Sequence, residues 1–181
     1  MSQQPEQAVI SNWKRAVSTV LAAIQQGRIS PGELAELRRV RPEDASSPAF
    51  WRILVRFVDP HDPPPRAETH RLRWEQRWAV ILGGMARLAH APGRPLGRVL
   101  AEAGFHELRL RRLLRASGVR LWDEFRAAVE FLSAKGERLD WEDAASLVLS
   151  DPETAPDWAD QVRRRIARSF FGALFSQGKK R

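Results

Sequence analysis

Apolar residues recur at intervals of three and four along most of the chain, the spacing that places side chains on one face of an α-helix. The first stripe ends before Gly27 and consists of Trp13, Ala16, Val17, Val20, Leu21 and Ile24. Ser30-Pro31 and Ser47-Pro48 each predict a helix start, because serine caps well and proline suits the first helical position. No segment alternates as a strand does. The sequence therefore predicts an all-α bundle of about eight to nine helices, some short and some long.

The segment 59–66 (DPHDPPPR) interrupts the helical pattern, because three consecutive prolines favour an extended connector. His61 and Asp62 within it are predicted to be solvated. We expect this connector to be a surface loop within one all-α domain spanning 1–175. A division into two helical lobes near 59–66 is the alternative. The last residues, 176–181 (SQGKKR), are predicted to form a disordered basic tail.

The stretch 105–120 (FHELRLRRLLRASGVR) carries five arginines against one acidic side chain, Glu107. Three leucines share one helical face and can be buried against a core, namely Leu110, Leu113 and Leu114. The basic side chains project from the other faces and form what we call the arginine ridge, namely Arg109, Arg111, Arg112, Arg115 and Arg120. Such a ridge holds guanidinium groups in fixed positions that suit a row of phosphates. A solvated helix face is the alternative interpretation.

Charge is distributed in blocks along the chain, whose formal net charge is +8. Counting side chains, residues 94–120 carry 7 basic and 2 acidic groups, residues 121–160 carry 3 and 11, and residues 161–181 carry 7 and none. Alternating blocks of this kind can present separate surfaces for a polyanion and for a protein. Arginine outnumbers lysine 26 to 4, which we attribute mostly to codon usage in a GC-rich genome. The positions of the arginines are therefore more informative about function than their number.

Few chemistries other than polyanion binding fit this sequence. Without cysteine there is no disulfide, thiolate zinc site or cysteine nucleophile, and the four histidines lack metal-ligand spacing. The densest carboxylate group, Asp140, Glu142 and Asp143, is better explained as the cap and first turn of a helix than as a nuclease metal site. We predict that the chain is not an enzyme and uses no cofactor. The absence of a long apolar run or signal peptide predicts a soluble, cytoplasmic protein with no membrane partner.

Two further arginine clusters lie outside the ridge. The first is Arg38, Arg39 and Arg41, at the end of a predicted helix, where the helix dipole already favours basic residues. The second lies on the last predicted helix, which we expect to be strongly electropositive, and consists of Arg163, Arg164, Arg165 and Arg168. Six tryptophans lie on apolar stripes and are predicted to belong to the core, namely Trp13, Trp74, Trp78, Trp122, Trp141 and Trp158. A bound nucleic acid is therefore expected to be held mainly by its backbone.

The order of motifs along the chain resembles the CasB family, the small subunit of the type I-E CRISPR surveillance complex known as Cascade. The resemblance spans about Trp13 to Phe171. Its motifs are GELAELRRVR (32–41), the Pro48-x-Phe50 helix, LGRVLAEAG (96–104), RLRRLLRA (109–116), LDWEDAASLVLS (139–150) and VRRRIARSFF (162–171). Family members often have Ser-Glu-x-Arg-Phe where this chain has 106–110 (HELRL), and often a tryptophan where it has Ile166. We interpret these departures as packing substitutions.

The resemblance implies an all-α, non-enzymatic subunit, present in two copies along the guide-RNA filament, that helps to hold the displaced DNA strand in antiviral defence. It implies partners among the other Cascade subunits, a second copy of the chain, the CRISPR RNA ribonucleoprotein and the displaced target strand. On matching positions the expected nucleic-acid contacts are Arg38, Arg39, Arg109, Arg111 and Arg112, followed by Arg115, Arg120 and Arg126. A free-standing DNA-binding regulator and a pure protein scaffold remain as alternatives, and a nuclease ranks last.

Overall fold

A computed structural model of the chain describes residues 5–43, 46–150 and 152–178. Residues up to 86 form α1 (Pro5–Gln25), α2 (Pro31–Leu37), α3 (Pro48–Ile53), a π-helix (Leu54–Val58) and α4 (Glu68–Met85). The remaining helices are α5 (Leu96–Glu102), α6 (Glu107–Arg115), α7 (Gly118–Ala134), α8 (Trp141–Leu149) and α9 (Pro156–Gly178). The described residues contain no strand, only an isolated bridge between His90 and Leu139. The prediction of an all-α fold is confirmed.

The chain divides into two compact units, Met1–Ala86 and Arg87–Arg181. The boundary follows α4 and does not fall at 59–66, which lies inside the first unit. Arg71 on α4 holds the connector 59–66 in place, because its Nε donates a hydrogen bond to the carbonyl of Pro65 at 3.2 Å. None of the described helices is long and apolar enough to cross a membrane.

The predicted helix starts of the first unit are confirmed by their caps. Ser30 accepts a hydrogen bond from the backbone N–H of Glu33, and the Glu33 carboxylate accepts one from the backbone N–H of Ser30, which completes a capping box. Ser47 caps α3 by accepting from the N–H of Phe50. Because Ser47 also donates to the Glu36 carboxylate at 2.7 Å, this cap links α2 to α3.

The proline-rich connector supplies a carboxylate to the core of the first unit. Asp62 Oδ2 accepts hydrogen bonds from the indole Nε1 of Trp74 and of Trp78, both at 2.9 Å. The prediction that Asp62 is solvated is therefore wrong, because two buried indole N–H groups need an acceptor there. Burial raises the pKa of Asp62, and the two indole hydrogen bonds partly oppose that rise. Burial also raises the pKa of Asp59, and the charge of Asp62 adds to the shift.

We expect Asp62→Ala to lower the free energy of unfolding by about 2 kcal/mol, since a buried donor left without a partner costs about 1–3 kcal/mol. Asp62→Asn keeps an acceptor oxygen and removes the charge. The pKa of the Asp62 carboxyl is higher in the folded chain than in the unfolded chain, where it is about 4. The carboxyl therefore contributes its full stability below the unfolded pKa, and this contribution is lost as pH rises through the folded pKa. Over that window the wild-type chain should therefore lose stability relative to Asp62→Asn. Denaturant unfolding at several pH values checks both statements, and an Asp62→Ala chain as stable as wild type would contradict the first.

In the second unit, α9 presents its predicted apolar face to the core. Val162, Ile166 and Phe170 are completely buried, as their spacing of four residues predicts. Trp158, which belongs to the same series, is only half-buried. The other five tryptophans assigned to apolar stripes are buried as predicted. Helix α9 continues through Gly178, so it includes residues 176–178 of the predicted disordered tail, and residues 179–181 lie outside the described part.

The carboxylates at the start of α8 act as helix caps. Asp140 Oδ1 accepts a hydrogen bond from the N–H of Glu142 at 3.0 Å, which confirms its predicted role. Asp143 Oδ2 accepts from the N–H of Leu96, the first residue of α5, at 2.7 Å. Asp143 therefore caps a second helix in addition to lying in the first turn of its own. The described residues contain no cluster of three or more potential metal ligands.

Candidate nucleic-acid interface

Helix α6 carries most of the arginine ridge and is fixed at its start and along one face. His106 is its N-cap, and the imidazole Nδ1 accepts a hydrogen bond from the N–H of Leu108 at 3.2 Å. Leu110 and Leu113 are buried as predicted, and Leu114 is half-buried. Burial of this face holds the backbone of α6 in place, so the opposite face is presented to solvent in a defined orientation.

Three ridge residues are fully available to a ligand. Arg111 and Arg115 are exposed and lie one turn apart on α6, and Arg120 is exposed in the first turn of α7. Within the part of the chain that the structure describes, none of the three has an ion pair or another side-chain partner. Side chains four residues apart on a helix have their Cβ atoms about 5–6 Å apart, so Arg111 and Arg115 project side by side.

Arg109 differs from these because it lies against an aromatic pair. Its guanidinium carbon is 4.5 Å from the ring centre of Phe105 and 5.2 Å from that of Phe131. The two rings meet edge to face at a centroid distance of 5.3 Å. A guanidinium held over two rings is attracted by their electron-rich faces and links α6 to α7. Arg109 therefore has a packing role that its spacing on the helix did not reveal.

Arg112 and Arg126 are also partly engaged or covered. Arg112 Nε lies 3.5 Å from the Glu124 carboxylate on α7, although its side chain stays 59% exposed and that of Glu124 is 19% exposed. Arg126, on α7, is half-buried. Arg109 and Arg112 therefore have different surroundings, because one stacks on phenylalanines and the other faces an acid of α7.

Arg38 and Arg39 lie in the first unit, just after α2. Arg38 is exposed overall, yet its Nε donates a hydrogen bond to the carbonyl of Ala86, the C-cap residue of α4, at 2.7 Å. Arg39 is exposed. The guanidinium of Arg38 thus stabilises the end of α4, where helix carbonyls lack partners within their own helix. Of this pair, Arg39 is the residue better placed to bind a ligand.

The arginine cluster of α9 is largely used within the second unit. Arg164 Nε is 2.6 Å from the Asp160 carboxylate, and Arg165 Nε is 2.9 Å from that of Asp143. The expected strongly electropositive helix is therefore partly neutralised, because Asp160 on α9 itself and Asp143 on α8 reach two of its arginines. Arg168 is exposed and has no ion pair within the described residues.

Arg163 binds the end of α6 and so supports the ridge. Its Nε donates to the carbonyl of Leu114 at 3.0 Å, and one terminal nitrogen donates to that of Ala116 at 3.3 Å. The other terminal nitrogen donates to the carbonyl of Ala159, one turn earlier on α9, at 3.1 Å. The planar guanidinium therefore joins the C-terminal end of α6 to α9.

We expect Arg163→Ala to lower the free energy of unfolding of the second unit by about 2 kcal/mol, since hydrogen bonds to charged groups are worth about 1.5–3 kcal/mol each. The end of α6 should also exchange its amide hydrogens faster. Arg164→Ala, on the same helix, is the matched control, and an exposed ion pair of this kind is worth up to about 1 kcal/mol. Hydrogen exchange over residues 107–116 checks the prediction, and equal protection in the two variants would contradict it.

Two arginines outside the predicted clusters converge on one ring in the first unit. The guanidinium carbons of Arg28 and Arg56 are 5.4 Å and 5.0 Å from the ring centre of Phe57. Both arginines are exposed. Sequence reasoning missed this pair because Arg28 follows α1 and Arg56 lies in the π-helix, so only tertiary structure brings them together.

The fold and the site together define an all-helical protein with an exposed basic helix in its second unit. The family model described as CRISPR-associated protein Cse2 matches residues 33–171. The chain therefore belongs to the Cse2 family of CRISPR-associated proteins, the CasB family expected from its motifs.

A solved structure shares the fold. The chain is similar to the crystal structure of CasB from Thermobifida fusca, with a TM-score of 0.65 and 19% sequence identity over 90% of this chain and 97% of that one. Among curated proteins, no sequence matches the chain.

Proposed function

We propose that the chain is the non-catalytic small subunit of a type I-E CRISPR surveillance complex. In that role it braces the guide-RNA filament and stabilises the opened DNA by holding the displaced strand. Membership of the Cse2 family supports the assignment to a CRISPR system. The partners that we propose are the other Cascade subunits, a second copy of the chain, the CRISPR RNA ribonucleoprotein and the displaced strand.

The observation that carries the nucleic-acid role is the outward face of α6 with the adjoining start of α7. Arg111, Arg115 and Arg120 are exposed there, while Leu110 and Leu113 anchor the helix from the other side. Exposed guanidinium groups on a fixed helix suit phosphate oxygens, which they can bind through two parallel hydrogen bonds. Arg112 adds to the surface because its side chain remains more than half exposed beside Glu124.

This surface fits binding that does not depend on sequence. The ridge consists of arginines, which can bind phosphate oxygens whatever the base sequence. It contains neither asparagine nor glutamine, the side chains that typically read adenine in the major groove. In RNA-guided recognition the guide reads the sequence by pairing, so a subunit that holds the displaced strand needs only charge and shape. We therefore assign phosphate contacts to Arg111, Arg115 and Arg120, with Arg39 as a contact of the first unit.

The acidic block from Asp123 to Asp160 has a separate role in this proposal. Several of its acids serve the fold, because Asp140 and Asp143 cap helices and Glu124 faces Arg112. Asp123 and Glu130 are exposed on α7 and are suited to a basic surface of a neighbouring subunit or copy. Complementary charges of this kind fix orientation and association rate more than affinity.

Titration of the full chain with single-stranded and duplex DNA of several sequences, at increasing salt, tests the proposal. We expect similar affinities for all single strands, and a linear fall of log K with log salt. Preferential and stable binding to one duplex sequence would instead indicate a free-standing regulator with α6 in the major groove. Binding without salt dependence, or no binding, would reduce the chain to a protein scaffold.

A further inference from the structure

The C-terminal half of α9 exposes two phenylalanine rings on one face. Phe171 is 39% exposed and Phe175 is 74% exposed, although both belong to a helix whose other face is completely buried at Ile166 and Phe170. Single exposed apolar residues are common, but two large rings one turn apart form a defined surface. Gly172 beside them leaves the surface open, because a Cβ on it would meet no atom within 4 Å.

This face also carries arginines in a regular order. At about 100° per residue, four exposed residues fall within one narrow stripe, namely Arg164, Arg168, Phe171 and Phe175. Arg164 is paired with Asp160, whereas Arg168 has no ion pair within the described residues. The stripe therefore changes from basic to aromatic toward the C-terminal end of α9. From residue 161 onward the sequence has seven basic side chains and no acidic one.

The position of the Phe171 ring is fixed by the core. It meets the buried ring of Phe170 edge to face, at a centroid distance of 5.4 Å and an angle of 80°. Helix α9 is itself held close to α5, where Gly97 lets the two backbones approach. The exposed rings therefore lie on a rigid element, which lowers the entropy lost when a ligand stacks on them.

From this arrangement we infer that Phe171 and Phe175 stack on unpaired nucleobases, with Arg168 on an adjacent phosphate. Aromatic rings beside basic side chains are the common means of holding single-stranded nucleic acid without regard to sequence. The inference rests on the proposed function, because it assigns unpaired bases of the same class of strand to a second site on α9. The tryptophans, which are mostly buried, do not serve this purpose.

A protein partner fits this surface less well. A stable protein interface buries about 800 Å² on each partner. Two phenylalanine side chains supply about 150–250 Å² each at most, and the rings here are already partly covered. The basic charge along the same stripe complements a polyanion. A surface of this size suits one or two bases.

The test compares an oligothymidylate with an abasic strand of the same length, each bound to the full chain and followed by fluorescence anisotropy. Phe171→Ala/Phe175→Ala should weaken binding of the oligothymidylate by about tenfold or more, since stacking is worth about 1–3 kcal/mol per base. Binding of the abasic strand should not change. Phe175→Ala alone should show a smaller effect in the same direction, and its high exposure means that the fold should tolerate it.

Two replacements separate stacking from simple apolar contact. Phe175→Trp should preserve affinity for the oligothymidylate, whereas Phe175→Leu should lose it almost as Phe175→Ala does. Arg111→Ala/Arg115→Ala should weaken both strands equally, so failure of the proposed ridge is distinguishable from failure of the stacking site. Equal affinity of the double phenylalanine variant and wild type for the oligothymidylate would overturn the inference. Reduced self-association of that variant, with unchanged strand binding, would overturn it in favour of a protein contact.

Discussion

Gly97→Ala is expected to destabilise the second unit by about 3 kcal/mol or more, because overpacking a closely fitted site costs about 1–3 kcal/mol and occasionally more. A Cβ at position 97 would clash with the carbonyl oxygen of Ile166 and come within 3.0 Å of the Phe170 nitrogen. Both atoms belong to the backbone of α9, so no flexible side chain can move aside. The melting temperature of the chain should fall by roughly 10 °C.

Gly172→Ala is the matched control for this change. Position 172 lies on α9 as well, but a Cβ there would meet no atom within 4 Å. Alanine in an exposed helix interior should raise the free energy of unfolding by about 0.5–1 kcal/mol relative to glycine. Thermal unfolding of the two variants checks the pair of predictions. If Gly97→Ala unfolded at the wild-type temperature, the close contact between α5 and α9 would be contradicted.

Arg111→Ala/Arg115→Ala is expected to weaken binding of single-stranded DNA by roughly tenfold at low salt, since an exposed ion pair is worth up to about 1 kcal/mol. Each lost phosphate contact should also reduce the slope of log K against log salt by about 0.7. The loss should be the same for every strand sequence. The two side chains have no partners within the described residues, so the variant should keep its stability.

Two control variants test whether the loss of affinity depends on the positions of Arg111 and Arg115 and on the planar shape of their guanidinium groups. Arg66 and Arg138 are exposed and belong to neither α6 nor α7, so Arg66→Ala/Arg138→Ala removes the same charge while leaving the ridge intact and should change affinity little. Arg111→Lys/Arg115→Lys keeps the charge but loses the planar fork of donors, and should retain the salt slope with a smaller loss of affinity. Equal losses in the two alanine variants would show that only net charge matters.

The sequence was sufficient to predict the helices because their signals are local. Ser30 and Ser47 before proline, and Asp140 at the start of α8, have the caps that their residue types predict. The apolar spacing on α9 also predicted the burial of Val162, Ile166 and Phe170, although Trp158 on the same stripe is only half-buried. These features depend on neighbours within a few residues, which the sequence shows directly.

Side-chain contacts between segments that are distant in the sequence could not be predicted from spacing alone, either at the ridge or elsewhere in the fold. Arg109 stacks on Phe131, Arg163 binds the carbonyl of Leu114, and Asp62 binds the indole of Trp78. A helical wheel shows which side chains share a face but not what lies opposite that face. In the sequence, an arginine that contacts a phenylalanine ring or a backbone carbonyl in the fold therefore looks the same as an arginine that is exposed to solvent.

The most direct test of the proposed function is chemical protection of the displaced DNA strand in a reconstituted guide-RNA complex. The complex is assembled with the wild-type chain, with Arg111→Ala/Arg115→Ala, or with Arg66→Ala/Arg138→Ala as control. We predict normal incorporation of all three, and loss of protection only with the Arg111/Arg115 variant. Unchanged protection with that variant, at equal incorporation, would contradict a phosphate-binding role for α6.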